Sequence, residues 1–322
     1  MVMAAGLGTR LRPITHEVPK PVVPVGNVAI VEQLVALLAA HGVEEVIANL
    51  HWFPDTVKRR LGDGSAHGVA MSYRFEEELT GTAGGVRGVA DFLTGGDDDV
   101  CLVLAGDALT DVDLTALVAA HRANDGVATL AVKRVSDVSE YGVIVTGAGG
   151  RIEGFQEKPD PAEALSDLVN CMVYAFSPEL FDHFPRDRMP DPVDFANDVF
   201  PAVLAADVPF HVHEIDGYWN DVGTLREYLQ GNLDAVAGEV RLPSLAGELT
   251  EAEGGPVLLG AGCRIGDGAT LMGPAVIGPG AEVGAGAQVK EAVVLPGGSV
   301  PAGSILARGI AGDAGYLASG DW

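Results

Sequence analysis

The stretch VCLVLAGDALTDVDLTALVAAHRAND, residues 100–125, decides the fold class, because it predicts one strand followed by one helix. Its first part is almost wholly apolar, which is typical of a strand buried on both faces of a parallel sheet. Residues 114–125 are typical of a helix that packs on such a sheet. Asp107 stands at the carboxyl end of the predicted strand. Ligands of open α/β sheets bind at this end, but an aspartate here can also simply cap the next helix, and for Asp107 alone the cap is the favoured interpretation.

The alternation of strand and helix continues over most of the chain that precedes residue 239. Segments 43–50 and 127–135 are apolar and rich in β-branched residues, as buried strands are. Segment 27–42 is a predicted helix with Asn27 as its candidate N-cap, and segment 224–238 is another. The pattern predicts a three-layer, Rossmann-like α/β domain with a mainly parallel mixed sheet.

The C-terminal part of the chain has a six-residue repeat of aliphatic side chains. The repeated residues are Leu259, Ile265, Leu271, Ile277, Val283, Val289 and Leu295. Glycine follows directly at positions 260, 266, 278 and 284. A period of six predicts a short left-handed parallel β-helix, in which each hexad forms one face and its aliphatic side chain points to the axis. We therefore expect a first domain at 1–238, a linker at 239–255, the β-helix at 256–310 and a tail at 311–322.

Composition and charge exclude several classes of partner. The formal net charge is −25, which opposes binding to nucleic acid or to an anionic membrane. No apolar run approaches the roughly 18 residues of a membrane span, and the N-terminus lacks the pattern of a signal peptide. Three scattered cysteines cannot form a disulfide framework. We expect a cytoplasmic protein without nucleic-acid or membrane partners.

The segment AAGLGTRLRP, residues 4–13, is a glycine-rich cationic loop that follows the predicted first strand. Gly6 and Gly8 would let backbone N–H groups point at phosphate oxygens, and Arg10 and Arg12 add positive charge. The loop matches neither the P-loop nor the dinucleotide-binding motif, because no Gly-Lys-Ser/Thr follows and the third glycine is missing. On these residues alone, a glycine turn without a ligand is an equally good interpretation.

Eight motifs in order resemble those of the sugar-1-phosphate nucleotidyltransferases, also called nucleotide-sugar pyrophosphorylases. The motifs are AAGLGTRLRP (4–13), PKPVVPVGN (19–27), GTAGGV (81–86), LAGDALTDVDL (104–114), EYGVI (140–144), FQEKP (155–159), LVNCMVYAFSPELF (168–181) and GYWNDVGT (217–224). A C-terminal β-helix also occurs in this family. The resemblance implies that an NTP and a sugar 1-phosphate react to give an NDP-sugar and pyrophosphate, with Mg²⁺ as cofactor. Since the family usually has a few more residues before the glycine loop, we expect either a short first strand or a given start that lies too late.

The resemblance also implies roles for individual residues on the nucleotide side. The implied nucleotide-binding residues are Ala5, Gly6, Gly8, Thr9, Arg10, Gly81, Thr82 and Ala83. The implied catalytic residues are Arg10, Lys20 and Asp107, with Arg10 on the leaving pyrophosphate and Lys20 bridging the phosphates. Asp107 and Asp221 would bind Mg²⁺, which prefers carboxylate and phosphate oxygens.

The sugar side of the implied site includes the two motifs that contain Glu157 and Asn170. Lys158 resembles the lysine that contacts the sugar phosphate, although a lysine beside a proline is also common in a solvated turn. Glu157 would accept hydrogen bonds from sugar hydroxyls, and Gly142 and Asn170 would border the sugar. A separate pair, His211 and His213, shares one strand face, for which we expect partial exposure rather than a metal site.

Substrate choice is predicted from segment 49–87, which resembles the mannose-1-phosphate guanylyltransferase branch of the family. This segment lacks the glutamine of the thymidylyltransferases, so GTP and mannose 1-phosphate are the favoured substrates. The alternative is glucose 1-phosphate with dTTP, UTP or ATP, because selectivity depends on a few hydrogen bonds.

Two hypotheses of other kinds compete with this prediction. A non-catalytic regulatory relative would bind a nucleotide-sugar, but it should have lost the loop arginine, the lysines or the aspartates that this chain retains. An acyltransferase of the β-helix type needs a histidine base, and all eight histidines lie between residues 16 and 213. We therefore expect the β-helix to be a scaffold through which the protein forms a homo-oligomer.

Overall fold

The computed structural model describes residues 1–16, 18–96, 100–312 and 315–317, the last three as backbone only. The chain divides into two compact units. Unit 1 consists of residues 1–7, 35–108 and 112–219, and unit 2 consists of residues 8–34, 109–111 and 220–322. Residues 8–13 of the glycine-rich loop thus belong to the same unit as the C-terminal repeats, whereas residues 4–7 belong to unit 1. The domain boundaries expected at residues 238 and 255 stay a prediction.

Unit 1 is built on one mixed sheet of nine strands within the described residues. The strands are β1 (Val2–Met3), β2 (Glu45–Leu50), β3 (Ala70–Phe75), β4 (Cys101–Ala105), β5 (Ala128–Arg134), β6 (Gly142–Thr146), β7 (Ile152–Glu157), β8 (Leu168–Phe176) and β9 (His211–Glu214). Their order is β7-β6-β8-β4-β1-β2-β3, and β5 pairs with β8 and β9. Strands β4, β1, β2 and β3 run parallel, whereas β8 is antiparallel to β4, β5 and β6. The predicted mixed α/β fold is confirmed, including the short first strand.

The helices of the described residues follow the predicted pattern. The α-helices are α1 (Ile30–Ala40), α2 (Pro54–Leu61), α3 (Thr82–Arg87), α4 (Ala90–Thr94), α5 (Leu114–Ala123), α6 (Phe200–Ala205) and α7 (Leu225–Ala237). The 3-10 turns are Thr9–Leu11, Ile14–His16, Lys20–Val22, Ser65–His67, Ala148–Gly150 and Pro178–His183, and Phe195–Val199 is a π-helical turn. Across the described part of the chain, no helix has the length and apolar content to span a membrane.

An aromatic cluster forms part of the core of unit 1. Tyr174 and Phe176 of β8 stack with ring centroids 5.2 Å apart, and Phe195 stacks on Phe200 at 5.3 Å. Phe210 completes the group, and all five side chains are buried. Aromatic pairs at these distances add about 0.5–1.5 kcal/mol each beyond the area that they bury. The cluster therefore fixes β8, which carries the predicted sugar-binding residue Asn170.

The start of α1 differs from the prediction. Asn27 is not an N-cap, because it lies in the turn of a small hairpin that joins strand Pro24–Val25 to strand Val28–Ala29. Gly26 and Asn27 have φ angles of 58° and 65°. Two consecutive positive φ angles are what a two-residue hairpin turn requires, and glycine and asparagine tolerate them best. The helix begins after this hairpin, at Ile30.

Helix α7 begins with a capping box. The Thr224 hydroxyl accepts a hydrogen bond from the Glu227 backbone N–H, and the Glu227 carboxylate accepts one from the Thr224 N–H. We expect Thr224→Ala to lower the free energy of unfolding by about 1 kcal/mol, because it leaves a backbone donor without its cap. Thermal unfolding followed by circular dichroism measures this loss. Thr224→Ser is the matched control and should unfold close to wild type; an equal loss in both variants would contradict the assigned cap.

Unit 2 contains the predicted β-helix. Its strands are β10 (Glu248–Ala252), β11 (Gly255–Leu259), β12 (Arg264–Ile265), β13 (Thr270–Met272), β14 (Ala275–Ile277), β15 (Glu282–Val283), β16 (Gln288–Lys290), β17 (Val293–Val294), β18 (Ser299–Val300), β19 (Ile305–Ala307), β20 (Ile310–Gly312) and β21 (Gly315–Leu317). They form three sheets, β10-β11-β14-β17-β20-β21, β12-β15-β18 and β13-β16-β19. Two other short strands are Leu109–Thr110 in unit 2 and Trp219–Asn220, of which Trp219 belongs to unit 1.

The length of the coils changes along the β-helix. Val257 pairs with Ala275, eighteen residues later, whereas Val276 pairs with Val293, only seventeen residues later. This loss of one residue shifts the six-residue repeat, so Val294 is fully buried and the predicted Leu295 is only half-buried. Ile265 also departs from the prediction, with 39% of its surface exposed, because its strand β12 is the outer one of its sheet.

Candidate active site

The carboxyl ends of β1, β2, β3 and β4 lie at one edge of the unit 1 sheet, because these four strands are parallel. Ala4 follows β1, and Gly106 and Asp107 follow β4. The Gly106 N–H donates to Met3 O at 2.9 Å, and a Cβ at Gly106 would lie 2.6 Å from the same oxygen. Only glycine therefore lets the chain leave β4 this close to β1. Asp107, which is half-buried, is held directly after this crossing.

A buried polar network joins the ends of β1, β2 and β3. Asn49 accepts from the Ala4 N–H at 2.9 Å and donates from Nδ2 to Glu76 Oε1 at 2.7 Å. Glu76 Oε2 accepts from the backbone N–H and the hydroxyl of Thr80, at 3.1 and 2.9 Å. The network thus connects the start of the glycine loop to the segment before α3. Neither Asn49 nor Glu76 is among the site residues predicted from the sequence. The one sequence feature that indicates this network is an asparagine, Asn49, within an apolar strand.

The predicted nucleotide-binding residues at 81–83 form the tight start of α3. Gly81 has a φ angle of 84°, and a Cβ there would lie 2.3 Å from Val193 O. The Ala83 N–H donates to the same oxygen at 3.1 Å, and the Thr82 hydroxyl donates to Asp194. The fold itself therefore uses these polar groups of Thr82 and Ala83. Their contact with a nucleotide stays a prediction.

Three predicted sugar-side residues lie on neighbouring strands of unit 1. Glu157 ends β7 and pairs with Gly142 at the start of β6. On the other side of β6, Val169 of β8 pairs with Val143, which puts Asn170 next to Gly142. A Cβ at Gly142 would lie 3.3 Å from Glu157 Oε2. The sheet thus gathers one carboxylate and one amide around a glycine without a side chain, a polar surface suited to hydroxyl groups.

Asn170 is oriented by an irregularity in β8. The register between β8 and β5 shifts between Asn170 and Tyr174, and Met172 within this bulge has a φ angle of 53°. Asn170 Nδ2 donates to Tyr174 Oη at 2.9 Å, and Asn170 Oδ1 accepts from the Met172 N–H at 2.9 Å. Bulges redirect side chains and occur often beside active sites.

Lys158, the predicted contact of the sugar phosphate, directly follows β7. Its side chain is exposed, and its backbone has a φ angle of 45°.

The part of the glycine-rich loop that belongs to unit 2 makes a tight turn at Gly8. Gly8 has a φ angle of 60°, and its carbonyl oxygen accepts from the Thr15 hydroxyl at 2.7 Å. A Cβ at Gly8 would lie only 2.8 Å from Lys20 Cβ. The glycine is therefore needed for the loop to approach the lysine segment, which is a stronger requirement than turn formation alone.

Two cationic side chains lie beside Asp221 in unit 2. Lys20 is 7% exposed, and its Nζ donates to the Asp221 backbone oxygen at 3.0 Å. An Arg10 guanidinium nitrogen is 3.9 Å from Asp221 Oδ2. Asp221 Oδ1 in turn accepts from the Gly223 N–H at 3.1 Å, which orients the carboxylate. We name Arg10, Lys20 and Asp221 the cationic cluster; its charges suit the binding of a polyphosphate.

The predicted metal site consists of the Asp107 and Asp221 carboxylates, and it stays a prediction. The Asp107 and Asp221 carboxylates supply the oxygen ligands that Mg²⁺ prefers, so the residue types suit this ion. Asp107 belongs to unit 1 and Asp221 to unit 2, and their joint role stays a prediction. Within the described residues, no group of three or more histidine, cysteine, aspartate or glutamate side chains could hold a metal ion.

The two strand histidines differ from each other. His211 is buried rather than partly exposed, and burial lowers its pKa below the usual value, opposed by the Asp125 carboxylate. His213 is half-buried, as expected. The prediction of a partly exposed face is therefore wrong for His211, because the loop at Gly126 covers it: a Cβ at Gly126 would lie 2.8 Å from His211 Nδ1.

Comparison with known proteins identifies the family. The family model for nucleotidyl transferases matches residues 1–237. The chain belongs to this nucleotidyl transferase family. A second model, for the bacterial transferase hexapeptide with six repeats, matches residues 256–291. The predicted class of enzyme and its C-terminal hexapeptide region are therefore confirmed.

Relatives of this nucleotidyl transferase include enzymes with two different substrate pairs in their names. Mannose-1-phosphate guanylyltransferase of Mycobacterium tuberculosis is 35% identical over 309 residues, 96% of this chain and 82% of the relative. UTP–glucose-1-phosphate uridylyltransferase of Synechocystis is 35% identical over 301 residues, 85% of this chain and 76% of the relative. A Bacillus anthracis protein provisionally assigned as a glucose-1-phosphate thymidylyltransferase has a similar fold. Its TM-score is 0.65 at 24% identity, covering 76% of this chain and 96% of that structure.

Proposed function

We propose that this nucleotidyl transferase joins GTP to mannose 1-phosphate and releases GDP-mannose and pyrophosphate. The observation that carries the proposal is the cationic cluster, in which Arg10 and the buried Lys20 lie beside Asp221 within the matched family region. The guanylyltransferase of M. tuberculosis, which aligns with 96% of the chain, supports the choice of substrates.

The reaction needs the positive charge that the cationic cluster supplies. An oxygen of the sugar phosphate attacks the α-phosphorus of the NTP in line, the new P–O bond forms, and the bond to the leaving pyrophosphate breaks. Negative charge grows on the leaving group as this bond breaks. A cation held in place by the protein stabilises that charge without reorganisation, and burial strengthens the effect. We assign Lys20 to the reacting phosphates and Arg10, whose side chain is 47% exposed, to the pyrophosphate.

Mg²⁺ is the proposed cofactor, with Asp107 and Asp221 as the residues that would hold it. When bound, this ion neutralises phosphate charge and polarises the reacting phosphoryl group. The orientation of the Asp221 carboxylate by the Gly223 N–H supports a role for this residue as a ligand. On the sugar side, we assign Glu157 and Asn170 to the hydroxyl groups and Lys158 to the phosphate.

A second substrate pair is supported by the Synechocystis relative. Its identity of 35% equals that of the guanylyltransferase, so UTP with glucose 1-phosphate is the alternative that this comparison favours. The two pairs share one mechanism and differ in the base and in the orientation of one hydroxyl. Such differences change recognition rather than the class of reaction.

A substrate grid distinguishes these pairs. Purified protein with Mg²⁺ is mixed with five NTPs against the 1-phosphates of mannose, glucose, galactose and N-acetylglucosamine, and pyrophosphate release is recorded. We expect GTP with mannose 1-phosphate to give the fastest release. The highest rate with UTP and glucose 1-phosphate would replace the substrate assignment and keep the mechanism. No release in any mixture, from protein shown to be folded, would favour the non-catalytic relative.

The predicted homo-oligomer and the predicted cytoplasmic location remain proposals. The hexapeptide repeats support the first, because β-helices of this type often join subunits. Light scattering coupled to size-exclusion chromatography would measure the mass in solution. A monomer at micromolar concentration would contradict the predicted homo-oligomer.

A further inference from the structure

The hairpin turn at Gly26 and Asn27 is bonded to the C-terminal part of unit 2. The Gly26 N–H donates to Asn232 Oδ1 of α7 at 3.0 Å, and its carbonyl oxygen accepts from the Ala246 N–H at 3.0 Å. Asn27 Nδ2 donates to Ala246 O at 3.1 Å and to Ile277 O, in the second coil of the β-helix, at 3.2 Å. One turn thus bonds to the helix, to the connecting segment and to a repeat strand.

The surroundings of the turn leave little freedom. A Cβ at Gly26 would lie 2.3 Å from Leu245 Cδ2, and Asn232 is fully buried. On either side of the turn, Tyr228 Oη donates to Pro24 O at 2.8 Å, and Gln33 Nε2 donates to Ser244 O at 2.6 Å. Hydrogen bonds between buried polar groups favour one arrangement of the chain. The hairpin is therefore held at several points along its length.

The same hairpin continues directly from the turn that carries Lys20. The Val23 N–H donates to Lys20 O at 3.0 Å, and the Ile30 N–H donates to Val23 O at 3.2 Å. Val22 and Val23, which lie between Lys20 and Gly26 in the sequence, are both buried. Lys20 and Gly26 are thus connected by a short, bonded and buried segment, along which a displacement of the turn would be transmitted.

We propose that Asn27 is a positioning residue through which the β-helix fixes the Lys20 side chain beside Asp221. This inference rests on the proposed function, since it assigns the fixed lysine to the reacting phosphates. Asn27 itself touches neither substrate nor metal in this assignment. The repeat region then contributes to the rate by holding the lysine in place, in addition to any contacts between subunits. Misplacement of a reacting group by about 1 Å can cost on the order of 100-fold in rate.

The test uses the full-length variant Asn27→Gly, which removes the two amide hydrogen bonds and keeps the freedom for a positive φ angle. We expect kcat to fall by about 10-fold to 100-fold, with a smaller change in KM. Hydrogen exchange should become faster in the peptide that covers residues 20–29. The control is Asn124→Ala at the C-cap of α5, where the Asn124 Nδ2 also donates to a backbone oxygen, at 2.8 Å. The control should leave kcat and that exchange unchanged.

A merely structural role gives a different result. If Asn27 only stabilises the fold, Asn27→Gly should have a lower unfolding temperature than the wild type. Its kcat, measured well below that temperature, should then equal the wild-type value. Unchanged kcat or unchanged exchange at residues 20–29 would overturn the proposal. If Asn27→Gly fails to fold, Asn27→Asp replaces it, because aspartate also tolerates this backbone conformation but presents an acceptor to both carbonyl oxygens.

The outcome separates this inference from the proposed function. Activity of the wild type on any mixture of the substrate grid establishes nucleotidyl transfer, and the variants are then compared on that mixture. An inactive wild type would contradict the proposed function. The exchange measurement would still decide whether Asn27 holds the Lys20 segment, because it needs no turnover.

Discussion

Lys20→Gln is expected to lower kcat by about 10²-fold to 10³-fold, which is the usual cost of removing one fixed group that stabilises transition-state charge. Lys20 Nζ donates to the Asp221 backbone oxygen. Glutamine removes the positive charge and keeps an N–H donor, on a side chain one bond shorter than that of lysine. KM for the NTP should change much less than kcat, because the charge matters most when pyrophosphate leaves. Steady-state pyrophosphate release with the best substrate pair measures both constants.

The control for this variant is Lys58→Gln. Lys58 lies on α2 and is exposed, so its replacement removes the same charge outside the cationic cluster. Its kcat should equal that of the wild type. Retention of more than half the activity by Lys20→Gln, or an equal loss in both variants, would show that Lys20 has no role in the transition state.

Gly278→Ala is expected to destabilise the β-helix by about 3 kcal/mol. This value is at the upper end of the free-energy costs that are typical when an extra methyl group is forced into a packed interior. A Cβ at this position would lie 2.4 Å from Pro296 N and 2.5 Å from the Leu295 carbonyl carbon, both in the next coil. These are backbone atoms, so relief requires the coils to separate. Urea unfolding followed by circular dichroism measures the change in midpoint.

Gly280→Ala is the matched control, two residues away. Gly280 has a φ angle of 67°, but a Cβ there meets no atom within 4 Å. Its cost should be only the conformational one of about 1 kcal/mol. A cost for Gly280→Ala that equals or exceeds that of Gly278→Ala would contradict the steric explanation of the glycines that follow the aliphatic residues.

Local patterns in the sequence predict the strands of the sheet but not their ends. The segments 43–50, 100–107 and 127–135 each contain a strand, because their apolar runs suit burial on both faces. Each strand is shorter than its segment, since the ends depend on the neighbouring strand. The wrong N-cap at Asn27 has a similar origin: asparagine suits both a helix start and a hairpin turn, and contacts with Asn232 and Ala246 favour the turn.

The β-helix could be predicted from its six-residue period, but the shift of the repeat after Val289 could not. The repeat continues to Val289, and the coil that is one residue shorter then puts Val294 in the buried position instead of Leu295. Both residues are aliphatic, so composition does not distinguish them. The stacking of coils decides, because a strand must pair with its neighbour.

The site residues could be predicted from the family motifs. The residue types and their spacing alone predict them only weakly. The resemblance named Glu157 and Asn170, and the order β7-β6-β8 explains why motifs that are separated in sequence lie together. The Asn49–Glu76 pair, 27 residues apart, has no local signal beyond one polar residue in an apolar strand. Such long-range pairs depend on the register of parallel strands, which sequence spacing alone does not specify.

The most direct test of nucleotidyl transfer follows the phosphorus atoms. The protein is incubated with Mg²⁺, mannose 1-phosphate and GTP that carries a radioactive label either at the α-phosphorus or at the γ-phosphorus. We predict that the α label appears in GDP-mannose and the γ label in pyrophosphate, in equal amounts, and that Lys20→Gln slows both together. Release of the γ label as inorganic phosphate, or an α label that never reaches a sugar nucleotide, would contradict nucleotidyl transfer between these substrates.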